Sequence, residues 1–359
     1  MDKISVALQG IFRRAVNNEH GDHLSFMNSA RTTSRLGLDQ RARADGIGLR
    51  HKCRMLRRHL SYRRLVGVVL SFACLPSTLA AQEPSRPAVP HTSAADSLTY
   101  IYGPDYQTPF VLTPSSPGGA NIARHTLEWI HHDNWRYGNN LLDLSLRKSS
   151  SIEPAVGGGT GALEPYLVLR SGLGLHRMFG QRIPLPAALR DISIEGGANL
   201  ESKNSAFAPE ERTIYVGPVL QFKVPRGVLN LGVHFRKEWN HEGILGKDES
   251  YDPDLNIEPV WNLPVRLGHV DLGWGGFVDI NTPKGKDSFG TQMQTEVLAR
   301  SQLTIDLGTL VHRQKTGVEL GGGIEYWHNE YGKPASTTPG AEELTPLLLV
   351  TVHLPGGRF

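Results

Sequence analysis

Twelve short runs of alternating apolar and polar residues, an export-type segment ahead of them, and no cysteine beyond that segment predict an all-β chain. The expected architecture is a twelve-stranded antiparallel transmembrane β-barrel, preceded by a signal peptide and a flexible N-terminal segment. A hydrophobic share of 39% and a mean hydropathy of −0.29 leave no long apolar helix to span a bilayer, so a helical membrane protein is excluded.

The N-terminal elements come first. Residues 1–81 hold 14 of the 38 Lys and Arg but 5 of the 35 Asp and Glu, so the remainder of the chain is acidic although the whole has a pI near 8.8. The basic balance belongs to the leader, and no nucleic-acid partner is expected. Within MLRRHLSYRRLVGVVLSFACLPSTLAAQEP, residues 55–84, Arg57, Arg58, Arg63 and Arg64 precede an apolar run from Leu65 to Cys74. Small residues then lead to a cleavage point near Ala80 or Ala81. This is the pattern of a secretory signal over residues 55–81. It makes Met55 the expected start and residues 1–54 a disordered upstream extension. Both cysteines, Cys53 and Cys74, precede the cut, so disulfides and thiolate chemistry are excluded from the exported chain.

Residues 82–120 are rich in Pro, Ser, Thr and Gly and are expected to be a flexible segment or plug, with the barrel domain covering 121–359. Strands are expected at 125–132, 141–147, 166–175, 191–201, 213–224, 228–239, 255–263, 268–280, 290–300, 303–311, 317–327 and 344–354. VLNLGVHFR shows the logic. Leu229, Leu231, Val233 and Phe235 share one face, and Asn230, Gly232, His234 and Arg236 share the other. VPRG (224–227) and NLPV (262–265) read as tight turns, 240–254 as a long polar loop, and Phe359 as an aromatic chain end.

The stretch TLEWIHHDNWRYGNNLLDLSL, residues 126–146, invites a metal reading because Glu128, His131, His132 and Asp133 lie close together. Strand alternation separates the two histidines onto opposite faces, so one strand cannot present both to a metal. Trp129, Trp135 and Tyr137 suit an interfacial aromatic girdle and its turn instead. No metal and no cofactor is expected.

This stretch, with EPVWNLPVRLG (258–268), GGFVDINTPKGKDSFG (275–290), TEVLAR (295–300) and GIEYWHNEYG (323–332), resembles the Tsx-like nucleoside-channel family of outer-membrane proteins over most of residues 125–354. Asn139 stands where an aspartate is common in that pattern, and residues 148–163 show no recognisable match. The resemblance implies a monomeric twelve-stranded barrel in the bacterial outer membrane that passes nucleosides by passive diffusion, with lipid and small solutes as its partners.

Alternation assigns the lumen face to Glu128, Asp143, Tyr166, Arg170, Tyr215, His234, Arg236, Phe277, Asp279, Glu296, Arg300 and Trp327, the candidates for solute contact. Glu195, Glu258, Asp271 and Glu325 fall on the same face. G-x-S-x-G, P-loop and H-E-x-x-H motifs are absent, so no enzyme is expected. Two other readings stay open: a barrel hydrolase acting on lipid, for which His234 and Ser301 are the conceivable pair, and an exported β-sandwich that binds a ligand.

Overall fold

The computed structural model describes residues 93–180, 184–205, 209–243, 245–268, 270–311 and 314–354. The expected upstream extension, signal peptide, cleavage point and terminal Phe359 lie outside the described residues. The chain divides into residues 1–86 and residues 87–359, and every described residue belongs to the second unit.

The strands are β1 (Ser93–Tyr106), β2 (Ile122–Trp135), β3 (Gly138–Ser149), β4 (Leu163–Gly174), β5 (Leu189–Ser202), β6 (Glu210–Phe222) and β7 (Val228–Glu242). They continue with β8 (Lys247–Ser250), β9 (Asp254–Leu267), β10 (Val270–Asn281), β11 (Glu296–Asp306), β12 (Val318–His328) and β13 (Glu342–Leu354). Each barrel strand pairs antiparallel with the next, β7 passing over β8 to reach β9. The ring closes where β13 meets β1, with Leu354 facing Asp96 and Thr351 facing Thr99. The result is a closed twelve-stranded barrel, and the four-residue β8 is a flap on the end of β7. One-turn helices α1 (Leu175–Phe179) and α2 (Leu307–Val311) sit in two of the connections.

Closure satisfies backbone groups that an open sheet would leave bare in lipid. Length fits as well. The eleven residues of β12 rise ~3.3 Å each, and at a tilt of ~40° they reach roughly 28 Å, enough for the ~25 Å apolar band of such barrels. Side chains sort by parity. In β6 and β7, Tyr215 and Arg236 face each other and are buried, whereas their neighbours Val216 and Phe235 face each other and are exposed. Leu127, Ile214, Leu344 and Leu348 continue the exposed apolar outer surface. Trp261 and Trp274 pack together on that surface at 5.6 Å, and Tyr100 and Tyr326 mark it nearer the opposite rim.

Four expectations need correction. Residues 93–106, expected to be flexible, form β1, so the barrel begins at 93 and not at 121. Their alternation is short, flanked by Pro and Ser, and disturbed by a register shift between Gly103 and Tyr106, which masked it. The separate strands expected at 290–300 and 303–311 are one strand, β11. The polar Arg300-Ser301-Gln302 stretch resembled a turn, yet Arg300 and Gln302 simply point inward. NLPV lies inside β9, where Pro264 pairs with Gly273, and the strand ends only at Leu267. Residues 240–254 are not a free loop, because Asn240 to Glu242 extend β7 and 247–250 form β8.

Both ends of the described chain lie at one rim. Short turns close it at 136–137 and 223–227, where Gly227 takes a left-handed φ of 87° that favours glycine. A side chain on Gly138 would collide with the Gly172 carbonyl oxygen, so the first hairpin also needs glycine there. The connections that hold α1 and α2 lie at this rim too, and the other rim carries the six connections β1–β2, β3–β4, β5–β6, β7–β9, β10–β11 and β12–β13. Hydrogen bonds lace them together. The Phe110 amide donates to Pro339 O at 3.0 Å, that of Val156 to Asn204 O at 2.8 Å, that of Asp252 to Lys284 O at 3.0 Å, and that of Gln294 to Gly332 O at 2.9 Å.

Candidate functional site: the lumen wall

Residues opposite one another in an antiparallel pair share a face, so the register can be followed around the ring. It places all twelve residues named from the sequence on the inward face. Glu128 stands opposite Thr99 and Ser145, Asp143 opposite Ile130, and Tyr166 opposite Ser145 and Glu201. Phe277 stands opposite Arg300, Asp279 opposite Leu298, Asn281 opposite Glu296, and Leu298 opposite Trp327.

The first group spans the lumen. Arg300 Nε lies 2.7 Å from Glu325 Oε2 on the neighbouring strand, and its Nη1 lies 3.2 Å from Glu128 Oε1. Glu128 is on β2, and three strands separate β2 from β11 along the wall. At ~4.8 Å per strand that arc is roughly 19 Å, so the guanidinium cuts across the interior instead of following the sheet. Its carbon lies 5.8 Å from the Phe277 ring centroid, which puts an aromatic face beside the bridge. Asp143 is inward on β3 and accepts from Ser145 Oγ at 3.3 Å.

A second group lines the opposing wall. Arg170 stacks 4.2 Å from the Tyr215 ring centroid, donates to Asn199 Oδ1 at 2.8 Å, and approaches Glu195 at 3.8 Å. Asn199 Nδ2 in turn donates to the hydroxyls of Tyr166 and Tyr215. His234 Nδ1 is 3.0 Å from Asn256 Oδ1, and Asn256 donates to Asp279. Nearer the looped rim, Arg236 pairs with Glu238 and, at 3.1 Å, with Asp254, while Lys284 reaches Glu238. Glu296 accepts from the Trp327 indole and from the Tyr331 amide, both at 2.9 Å, and so belongs to a loop anchor.

The sequence reading missed a network at the looped rim. Lys203 lies 3.0 Å from Glu153 and 2.7 Å from Glu164, and Arg147 lies 2.6 Å from Glu164. Burial alone would lower the Lys203 ammonium, but Glu164 and Glu153 outweigh it and raise its pKa above the ordinary lysine value. Arg147 lies within the strand expected at 141–147, and Glu164 would have been found by extending the one expected at 166–175. Lys203 and Lys284 sit in loops, where no periodicity marks them.

Toward the plain rim, Gly172, Gly217, Gly232, Gly275 and Gly323 occupy inward positions.

The opening stretch resolves as alternation requires. His131 faces outward, 3.0 Å from Asp96, while His132 shares the inward parity of Glu128, and among the described residues no group of side chains is arranged to hold a metal. Trp135 packs edge-on against Tyr137 at 5.8 Å in the first hairpin turn. The conceivable His234 and Ser301 pair is not brought together. His234 is buried inside on β7, whereas Ser301 points outward on β11 and accepts from the Trp274 indole at 3.0 Å.

No protein-family model matches the chain, and no curated protein matches it. Among solved structures the chain is similar to the NanC porin, at 11% identity over 72% of this chain and 100% of that one, with a TM-score of 0.40. It is also similar to the translocator domain of the autotransporter NalP from Neisseria meningitidis, at 11% identity over 81% and 98%, with a TM-score of 0.36. A third likeness is OccK11 (OpdR) from Pseudomonas aeruginosa, at 9% identity over 73% and 96%, with a TM-score of 0.24.

Proposed function

We propose that this chain is an outer-membrane channel through which small polar solutes diffuse passively, with nucleosides the favoured class. The observation that carries the reading is the pairing of two surfaces on one closed wall. The outside is apolar around the ring, and the inside is charged and aromatic. A soluble sandwich has no reason to expose Phe235, Leu267 and Leu348. The plain rim with the chain ends faces the periplasm, and the looped rim faces outward.

Nucleosides as the favoured class rest on the resemblance to Tsx-like channels and on the chemistry of the Arg300 bridge. A flat base would stack on Phe277 for about 1–3 kcal/mol, while Glu128, Asp143 and Arg300 offer partners to ribose hydroxyls and base edges. Release requires weak binding, on the order of millimolar or about −4 kcal/mol. Liposome swelling with adenosine, thymidine and a sugar of similar size tests the reading. Faster entry of the nucleosides is expected, with the preference lost in Phe277→Ala or Asp143→Ala while the pore still conducts. Equal rates for all three solutes would leave a general pore, and no swelling would refute the channel.

A further inference from the structure

We infer that the lumen selects by charge, passing small cations, organic ammonium solutes included, in preference to anions. The inference rests on the channel reading above and adds the charge class of what passes.

The inward face is unbalanced in a way that the chain's overall composition hides. Every barrel strand except β1 places at least one carboxylate inward, whereas inward arginines come singly from six strands: Arg124, Arg147, Arg170, Arg236, Arg266 and Arg300. Strand β5 alone turns Asp191, Glu195 and Glu201 inward with no basic residue among them.

The cations present are already engaged. Arg124 lies 3.9 Å from Glu153, Arg266 is 2.8 Å from Asp271, and the other four arginines have carboxylate neighbours described above. The loop lysines Lys203 and Lys284 pair with Glu153, Glu164 and Glu238.

What remains is an excess of inward carboxylates over arginines. Glu195 stands inward opposite Gly172 and Gly217, and Glu258 stands inward opposite Gly232. Carboxylate oxygens held inside a wall whose outer side is hydrocarbon are poorly screened, and such a wall concentrates mobile cations and repels anions. A permeating cation passes a wall with more carboxylates than arginines, whereas an anion would meet arginines that are already paired with carboxylates.

The full chain in a planar bilayer under a potassium chloride gradient tests this through the sign of the reversal potential. The expected result is a potassium-to-chloride permeability ratio several-fold above one, with choline also passing ahead of chloride when choline chloride replaces the potassium salt. Glu195→Gln combined with Glu258→Gln should lower the ratio at least twofold, provided the variant keeps the heat-dependent gel shift of the folded barrel. Asp248→Asn, on the exposed β8 flap outside the ring, should leave it unchanged. A conducting channel with a ratio at or below one overturns this inference and leaves the channel reading standing. Conductance that is absent altogether overturns both.

Discussion

Replacing Arg300 by alanine should be among the most damaging single changes to the barrel interior. The guanidinium serves two carboxylates at 2.7 and 3.2 Å, and their side chains are 6% and 11% exposed. Removing one partner of a buried pair costs about 3–5 kcal/mol, because the surviving charge is left without compensation. Two orphaned carboxylates push toward the upper end of that range, while water entering the space left by the long side chain pulls back, so a loss of about 3 kcal/mol is expected. Urea unfolding of the detergent-solubilised barrel, followed by tryptophan fluorescence, measures it. Neutralising the orphans in R300A/E128Q/E325Q should restore most of the loss, since both charges left behind are then gone. Conductance gives a second reading, because the cut across the lumen disappears with the side chain and single-channel current should rise. If R300A unfolds within about 1 kcal/mol of the parent and conducts like it, the cross-lumen bridge does not exist as described.

Other outcomes follow from the same wall. Val216→Arg, midway along β6 on the outer face, should destabilise the folded barrel by about 2–4 kcal/mol, whereas Leu267→Arg at the rim end of β9 should cost about 0–1 kcal/mol. Unfolding in detergent or liposomes would compare them, and equal penalties would contradict the assigned depth. A chain beginning at residue 121, where composition suggested the domain starts, lacks β1 and should fail to give the heat-shifted folded band in gels. A folded band from that truncation would show that β1 is dispensable.

The sequence carried the fold through parity, because alternation is a local signal that survives in any strand with one wet and one greasy face. It failed where that signal was short or interrupted. In β1 the alternation Leu98, Thr99, Tyr100, Ile101 spans few residues before Gly103 and Pro104 disturb it. In β11 a run of three polar residues imitated a turn although only alternate ones face inward. Inward residues were legible for the same reason that strands were. Their partners were not, since Arg300 meets Glu128 across 172 positions of sequence and no periodicity reports a contact through empty space. Lys203 and Lys284 were invisible for another reason: a loop lysine looks alike in sequence whether it bends into a barrel or into water.

The seam between β1 and β13 sets the order in which the molecule can be built. Every other neighbouring pair in the ring is joined by a hairpin or a modest connection, so a curved sheet from β1 to β13 can grow by local steps. The closing contact joins Thr99 to Thr351, 252 residues apart. In a flexible chain, bringing such distant points together would cost about 5 kcal/mol of entropy, a cost that the growing sheet spreads over its local pairings. Until the last strand is in place the sheet has two bare edges, which hydrocarbon does not tolerate. Closure and insertion are therefore one event for this chain, and the first strand of the barrel must wait unpaired on its outer edge until the last has been delivered.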